Sequence, residues 1–475
     1  MLERLLRLLG HSAVYGLGGV ISRVIAVFLL PIYTRYLEPS ELGAVGVILA
    51  LSAILVTILR GGISSAFFRF YFDSADPAHR LLVIRTSFWF TMGSATAGLL
   101  AGVLLAEPIA DALGLANENL VRAGFVAIWA QMNYEQLTAL FRAEQRPVAF
   151  VAGSLANIAI TVAATVLLVV VYKQGPVGVI VGNFTGTLAV YVALLAYRRE
   201  QLGLQFSRRL FREMEHFGLP LVPSALALIA INFSDRILLS HLADLREVGL
   251  YEIGRRIASV MVLLLTAFRA AWPGFAYSIE DDDEAKRTYA FVLTYLVVVT
   301  TWAATALGLL APWLVRLLAT PEFYEGHRVV APLAFSAAVF AGYIVVSIGV
   351  GRARRTQFNW VVTGLAALVN VALNLVLIPA YGMIGAASAA VAAFAVLFLA
   401  MAWHAQRIYP VPYQWRRVAT ALAAGIALTV AGNLLDVPLA VALLLAAAYP
   451  LVLLPLGFYL PAERARLRRL VPLLR

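Results

Sequence analysis

Apolar residues run along this chain in long unbroken blocks, without the narrow stripe of a surface helix or the alternation of a half-exposed strand. A helix that crosses a bilayer needs about 20 consecutive, mostly apolar residues. Fourteen blocks reach that length: 12–32, 42–72, 82–105, 120–141, 148–172, 176–197, 218–241, 249–278, 289–311, 331–350, 358–379, 383–403, 417–435 and 438–460. The second and eighth are longer than a bilayer requires, so their inner ends are expected to project from it. Nothing shows the ten-residue alternation of a membrane barrel. The opening MLERLLRLLG is basic and is followed by no small-residue cleavage site, so it reads as an interfacial stub before a retained first helix. The pattern predicts an all-α integral membrane protein with about fourteen transmembrane helices.

Composition agrees. Of 475 residues, 62% are hydrophobic and 13% charged, about half the charged fraction of a soluble chain. That balance excludes a soluble enzyme, a disordered chain and a nucleic-acid binder, although the net charge is +11. The basic residues instead report topology. With the N-terminus inside, 26 of the 37 lysines and arginines fall on the cytoplasmic side, seven outside and four within helices. Both termini are then cytoplasmic. Arg236 is counted among the outer seven.

Three short matches recur in order. His11–Leu37 aligns with His216–Leu242, Glu41-Leu42-Gly43 with Glu247-Val248-Gly249, and Gly175-Pro-Val-Gly178 with Gly382-Met-Ile-Gly385, at offsets of 205, 206 and 207. Repeats of this kind mark transporters built from two related halves. The expected organisation is two pseudo-symmetric six-helix lobes, 1–205 (helices 1–6) and 206–410 (helices 7–12). Residues 411–475 add two C-terminal helices and a basic tail.

Several chemistries are missing. The chain has no cysteine, and so no thiolate metal site or thiol nucleophile. Its only lysines, Lys173 and Lys286, follow Tyr172 and Ala285, which excludes a Gly-Lys-Ser/Thr phosphate loop and ATP hydrolysis. No His-Glu-x-x-His pattern occurs. The acidic run at 280–284 reads as a solvated patch opening the ninth helix, and the Gly178, Gly182, Gly186 ladder as helix packing. The connection around 198–217 is the longest, at about 20 residues. Neither a cofactor nor a metal is expected.

Charges inside the blocks carry the functional signal. Arg23 lies midway along the first, Arg60 in the second, Glu135 in the fourth, Asp235 in the seventh, and Glu252, Arg255 and Arg256 open the eighth. An arginine at mid-bilayer costs about 2.5–3.5 kcal/mol, so four facing lipid would cost on the order of 10 kcal/mol. They should face water, one another or a ligand. Asp235 and Arg255 flank the hairpin near Leu245 symmetrically, which predicts an ion pair or close neighbours. Guanidinium suits phosphate oxygens, so the four arginines are candidate ligands of an anionic headgroup. Asp235, Glu252 and Glu135 are candidates for gating or ion coupling.

The stretch from Leu30 to Gly43, LPIYTRYLEPSELG, resembles the first hairpin of bacterial polysaccharide flippases. Arg60–Tyr71 is similar to the end of their second helix, and Leu140–Arg146 to their fourth-to-fifth loop. The chain is identified as resembling the O-antigen flippase-like branch of the multidrug/oligosaccharidyl-lipid/polysaccharide (MOP) exporter superfamily. The resemblance implies two lobes around a V-shaped cavity and alternating access. Its implied cargo is a polyprenyl-diphosphate-linked oligosaccharide, carried across the inner membrane for surface polysaccharide or lipopolysaccharide synthesis. Membrane lipids, glycan polymerase machinery and a coupling cation (H+ or Na+) are the other partners it implies; nucleic acid is not one. Two alternatives share the superfamily, a multidrug/cation antiporter and a lipid II flippase. The four arginines against three acids argue against a cationic drug. A membrane glycan polymerase or ligase would need a large external loop, and none is present.

Overall fold

The protein is described here from a computed structural model that covers residues 27–461 and 463. The first predicted span lies mostly outside the described residues, and Arg23 lies there too. Among the described residues all regular elements are helices, and ten are long and apolar enough to cross a membrane. The chain is a multi-pass, all-α membrane protein. It packs as two compact units.

The first unit takes in the described residues up to Ile253, with Leu318–Glu325 and Asn359–Ala389. It contains α1 (Leu30–Tyr36), α2 (Pro39–Arg60), α3 (Ile63–Tyr71), α4 (Pro77–Leu104), α5 (Ala106–Ala112) and α6 (Glu118–Ala143). It continues with α7 (Pro147–Val166), α8 (Gly175–Tyr197), α9 (Arg208–Gly218), α10 (Val222–Leu242) and most of α11 (Leu245–Ala258). Helix starts follow local chemistry. Pro39, Pro77 and Pro147 each sit in a first turn, where their missing N–H costs nothing. The Asp76 carboxylate accepts from the Ala78 and His79 amides at the head of α4.

The structure revises several boundaries. The second block breaks at Gly61-Gly62 into α2 and α3. The connection around 198–217 holds a helix, α9, because Leu210 and Met214 lie on one face and are buried, and Ser207 caps its start. α6 is not among the ten apolar helices, since Gln131, Asn133, Glu135 and Gln136 interrupt it. Its polar groups are used internally: Asn133 and Gln136 are buried, and Gln136 donates to Ser87 Oγ at 2.9 Å. The glycine ladder of α8 packs as expected, with Gly182 and Gly186 against the backbone of Thr165 and Asn157 in α7.

The second unit comprises Gly254–Leu317, Gly326–Phe358 and the described residues from Ala390 onward. It holds α12 (Val260–Ser278), α13 (Asp282–Leu318), α14 (Val330–Arg352), α16 (Trp415–Leu434) and α17 (Leu439–Val452). The eighth block divides at Ser259, between α11 and α12. The acidic run opens α13 as expected, with Asp282, Asp283 and Glu284 in its first turn. Asp282 accepts from Arg352 Nε at 3.0 Å and from Tyr409 Oη at 2.9 Å. Burial, and then the Asp282 carboxylate, raises the Tyr409 phenol above its ordinary pKa.

α15 (Asn359–Ile408) consists of two helices, one for each predicted span, separated by a kink at Gly382. Gly382 has φ +54°, a conformation side chains disfavour, and the Glu247 carboxylate occupies the space a Cβ would need. Glu247 Oε2 accepts from the Met383 amide at 2.8 Å, capping the helix that restarts there. The repeat partner of this contact is present too: Gly175, at φ +56°, meets the Glu41 carboxylate. Pro176 stands where Met383 stands in the other copy, and it has no N–H to donate. Glu247→Ala should therefore lower stability by about 1 kcal/mol, read as a lower melting temperature of the purified protein in detergent.

Candidate functional site

Two charge constellations lie in the first unit, one partly exposed and one buried. In one, Arg60 occupies the last turn of α2, where the helix dipole favours a cation. Arg60 Nη1 lies 2.6 Å from Glu135 Oε2 on α6, and Nη2 donates to the Met132 carbonyl at 3.3 Å. Gln131 Nε2 holds the other Glu135 oxygen at 2.9 Å. The structure thus joins an arginine assigned to anion binding and a carboxylate assigned to coupling, which no spacing rule paired. Arg60 Nε is buried without a hydrogen-bond partner. The Arg60 side chain is 15% exposed and that of Glu135 38%, so the carboxylate is the more accessible member.

The second constellation centres on Arg236 of α10, whose side chain is 1% exposed. Arg236 Nε donates to Glu252 Oε1 at 2.5 Å, and Nη1 donates to Asp235 Oδ1 at 3.2 Å and to the Asn232 carbonyl at 2.5 Å. Tyr251 Oη donates to the other Asp235 oxygen. The Phe233 ring lies 4.8 Å from the guanidinium, and the Glu252 side chain lies over Gly46 of α2. Both oxygens of Asp235 are engaged, one by Arg236 and the other by Tyr251. Arg236 itself is no outer-surface charge. A charge near a helix end reads as exposed unless a partner is seen, and its partner Glu252 is on the next helix.

Arg255 is half-buried and Arg256 buried, at the end of α11. Beside Asp235, Ser234 Oγ donates to Asn370 Oδ1 at 3.1 Å, and Asn374 Nδ2 to the same oxygen at 3.2 Å. Asn370 and Asn374 are fully buried. Sequence reasoning passed over these amides because uncharged residues at i, i+4 in an apolar block carry no topological signal.

The N-terminal ends of α2 and α11 cross at glycines. A side chain at Gly43 would meet the Leu245 carbonyl, and one at Gly249 the Pro39 carbonyl. Gly43 and Pro39 correspond to Gly249 and Leu245 in the repeat, so the crossing is reciprocal.

Residues 32–328 match the family described as Polysaccharide biosynthesis protein. The chain belongs to that family. Among curated relatives, the succinoglycan biosynthesis transport protein ExoT of Rhizobium meliloti (strain 1021) is 24% identical over 285 residues, 59% of this chain and 56% of that protein. An uncharacterized membrane protein of Methanocaldococcus jannaschii, MJ1068, is 22% identical over 43% of this chain and 41% of its own length. The chain thus spans about half the length of the curated relatives it matches. Among solved structures, lipid II flippase MurJ in an inward closed conformation superposes with a TM-score of 0.73 at 12% identity, covering 92% of this chain and 97% of that one. An inward-facing MATE-family multidrug resistance transporter of the MOP superfamily gives 0.69 at 14% identity, covering 84% and 98%. At these identities the likeness is one of fold, and the fold is that of MOP transporters.

Proposed function

We propose that this family member is a secondary-active flippase. It moves a polyprenyl-diphosphate-linked oligosaccharide from the cytoplasmic to the outer leaflet of a bacterial inner membrane, with both its termini cytoplasmic. Lobes 1–205 and 206–410 rock against each other in alternating access, and 411–475 is an appendix. The product is handed to glycan polymerase machinery. The family match favours a polysaccharide precursor over lipid II or a cationic drug, whose transporters share the fold alone.

The observation that carries this reading is the Arg60–Glu135 pair. In the proposed topology α2 runs inward, so Arg60 sits toward the leaflet from which the cargo is taken. A diphosphate offers more acceptor oxygens than a carboxylate and binds guanidinium in the same bidentate manner. The cargo therefore competes with Glu135 for Arg60. A cation, H+ or Na+, arriving at Glu135 releases the arginine to the cargo. Asp235 and Glu252 are held by Arg236, which leaves Glu135 as the exchangeable acid. Arg23, Arg255 and Arg256 complete the headgroup site in this proposal. The inside-negative potential favours outward movement of anionic charge by about 2.3 kcal/mol per charge per 100 mV.

The test is binding of undecaprenyl diphosphate to the purified protein by native mass spectrometry. Arg60→Ala should weaken binding roughly 10- to 100-fold, the value of a charged hydrogen bond, whereas Glu135→Gln should strengthen it. Equal affinities for wild type and both variants would remove the site.

A further inference from the structure

At the opposite end of α2 from Arg60, the first unit contains a polar cavity. It has a volume of about 470 Å³ and lies between the α1–α2 turn and residues 320–322. That is within the usual range for small-molecule sites. Tyr36 on its wall leaves 44% of its surface exposed. The exposed carboxylates of Glu38 and Glu322 lie on the same wall as Arg35. Thr34, also on the wall, is 4% exposed, yet its Oγ1 has no hydrogen-bond partner. Thr320 Oγ1 donates to the Thr34 carbonyl at 2.8 Å and fixes the two sides together.

This set differs from the Arg60 site in its charge. With Glu41 it carries three carboxylates against one arginine, which repels a phosphate or uronate. A metal ion is a poor fit: among the described residues no group of three or more acid, thiol or imidazole side chains is arranged to hold one. Vicinal hydroxyls are a good fit. Each carboxylate has two acceptor oxygens and about four lone-pair sites for adjacent O–H donors, and an exposed tyrosine ring offers an apolar face with a polar edge. The C–H face of a pyranose matches the ring, and its hydroxyls match the acids.

We infer that this cavity is a saccharide subsite that takes one or two neutral sugar residues of a glycan. The identity of that glycan with the cargo rests on the flippase reading; the binding does not.

The test is saturation-transfer NMR on the full chain in a sugar-free detergent. The probes are methyl β-glucoside, methyl β-galactoside, methyl N-acetyl-β-glucosaminide and glucuronate. Transfer to at least one neutral glycoside is expected, with none to glucuronate. Tyr36→Ala and Glu322→Gln should each reduce it about tenfold, as loss of a stacking face or a charged acceptor does. Both changes are at exposed side chains, and an unchanged melting temperature shows that the variants are folded. No transfer to any neutral glycoside, equal transfer to glucuronate, or undiminished transfer in both folded variants overturns the site. The measurement needs no lipid and no translocation. A chain that binds sugar but does not flip lipid keeps this site and loses the flippase reading, and the reverse result loses only the site.

Discussion

Replacing Arg236 with methionine should destabilise the protein by about 3–5 kcal/mol, among the largest effects of any single change in the first unit. The reason is what it leaves behind. Asp235 and Glu252 are 2% and 1% exposed, and the change takes the guanidinium away from both in a water-poor interior. Their alternatives are ionisation at high cost or protonation. The triple variant Arg236→Met, Asp235→Asn, Glu252→Gln should recover much of the loss, because the cost lies in the charges that Arg236 neutralises more than in the missing bonds. Denaturant unfolding in detergent reads both numbers. If the single and triple variants are equally unstable, packing of the long Arg236 side chain between Phe233 and Tyr251 accounts for the effect, and the charge argument fails.

The second large effect is expected at the helix crossing. Gly249→Leu should cost about 3 kcal/mol, at the upper end for an overpacked site, because the side chain would occupy the position of the Pro39 carbonyl. A backbone carbonyl cannot rotate aside as a flexible side chain can, so α2 and α11 must separate. Gly43→Leu should do the same through Leu245. The milder pair Gly43→Ala and Gly249→Ala supplies a sharper check. Once the helices have separated for one methyl, the second needs less extra room, so the double variant should cost less than the sum of the singles. Strict additivity in the same denaturant measurement would show that the two glycines do not share one crossing.

The membrane-spanning blocks were legible because the bilayer demands a run of apolar residues whatever the tertiary packing. The breaks within them were harder to read. Gly61-Gly62 and Ser259 interrupt helices without interrupting hydrophobicity, and α9 was hidden because eleven amphipathic residues read as a connecting segment. The repeat motifs proved informative beyond their few identities, since Glu41 with Gly175 and Glu247 with Gly382 make matching contacts. The site was half legible. Arg60, Glu135, Asp235 and Glu252 stood out as costly charges in apolar blocks, but which acid meets which base depends on helix rotation and neighbour choice. Those are tertiary quantities, and so Arg60 paired with Glu135, and Arg236 entered the site unannounced.

In the proposed function the cargo is an anionic lipid-linked glycan that crosses the membrane by way of Arg60. The most direct measurement reconstitutes the protein into liposomes with a fluorescent undecaprenyl-diphosphate oligosaccharide in one leaflet, and follows its accessibility to a membrane-impermeant quencher in the other. Wild-type protein should accelerate transfer and Arg60→Ala should abolish that acceleration, with none for a zwitterionic lipid bearing the same label. Equal transfer by wild type, Arg60→Ala and protein-free liposomes would contradict it.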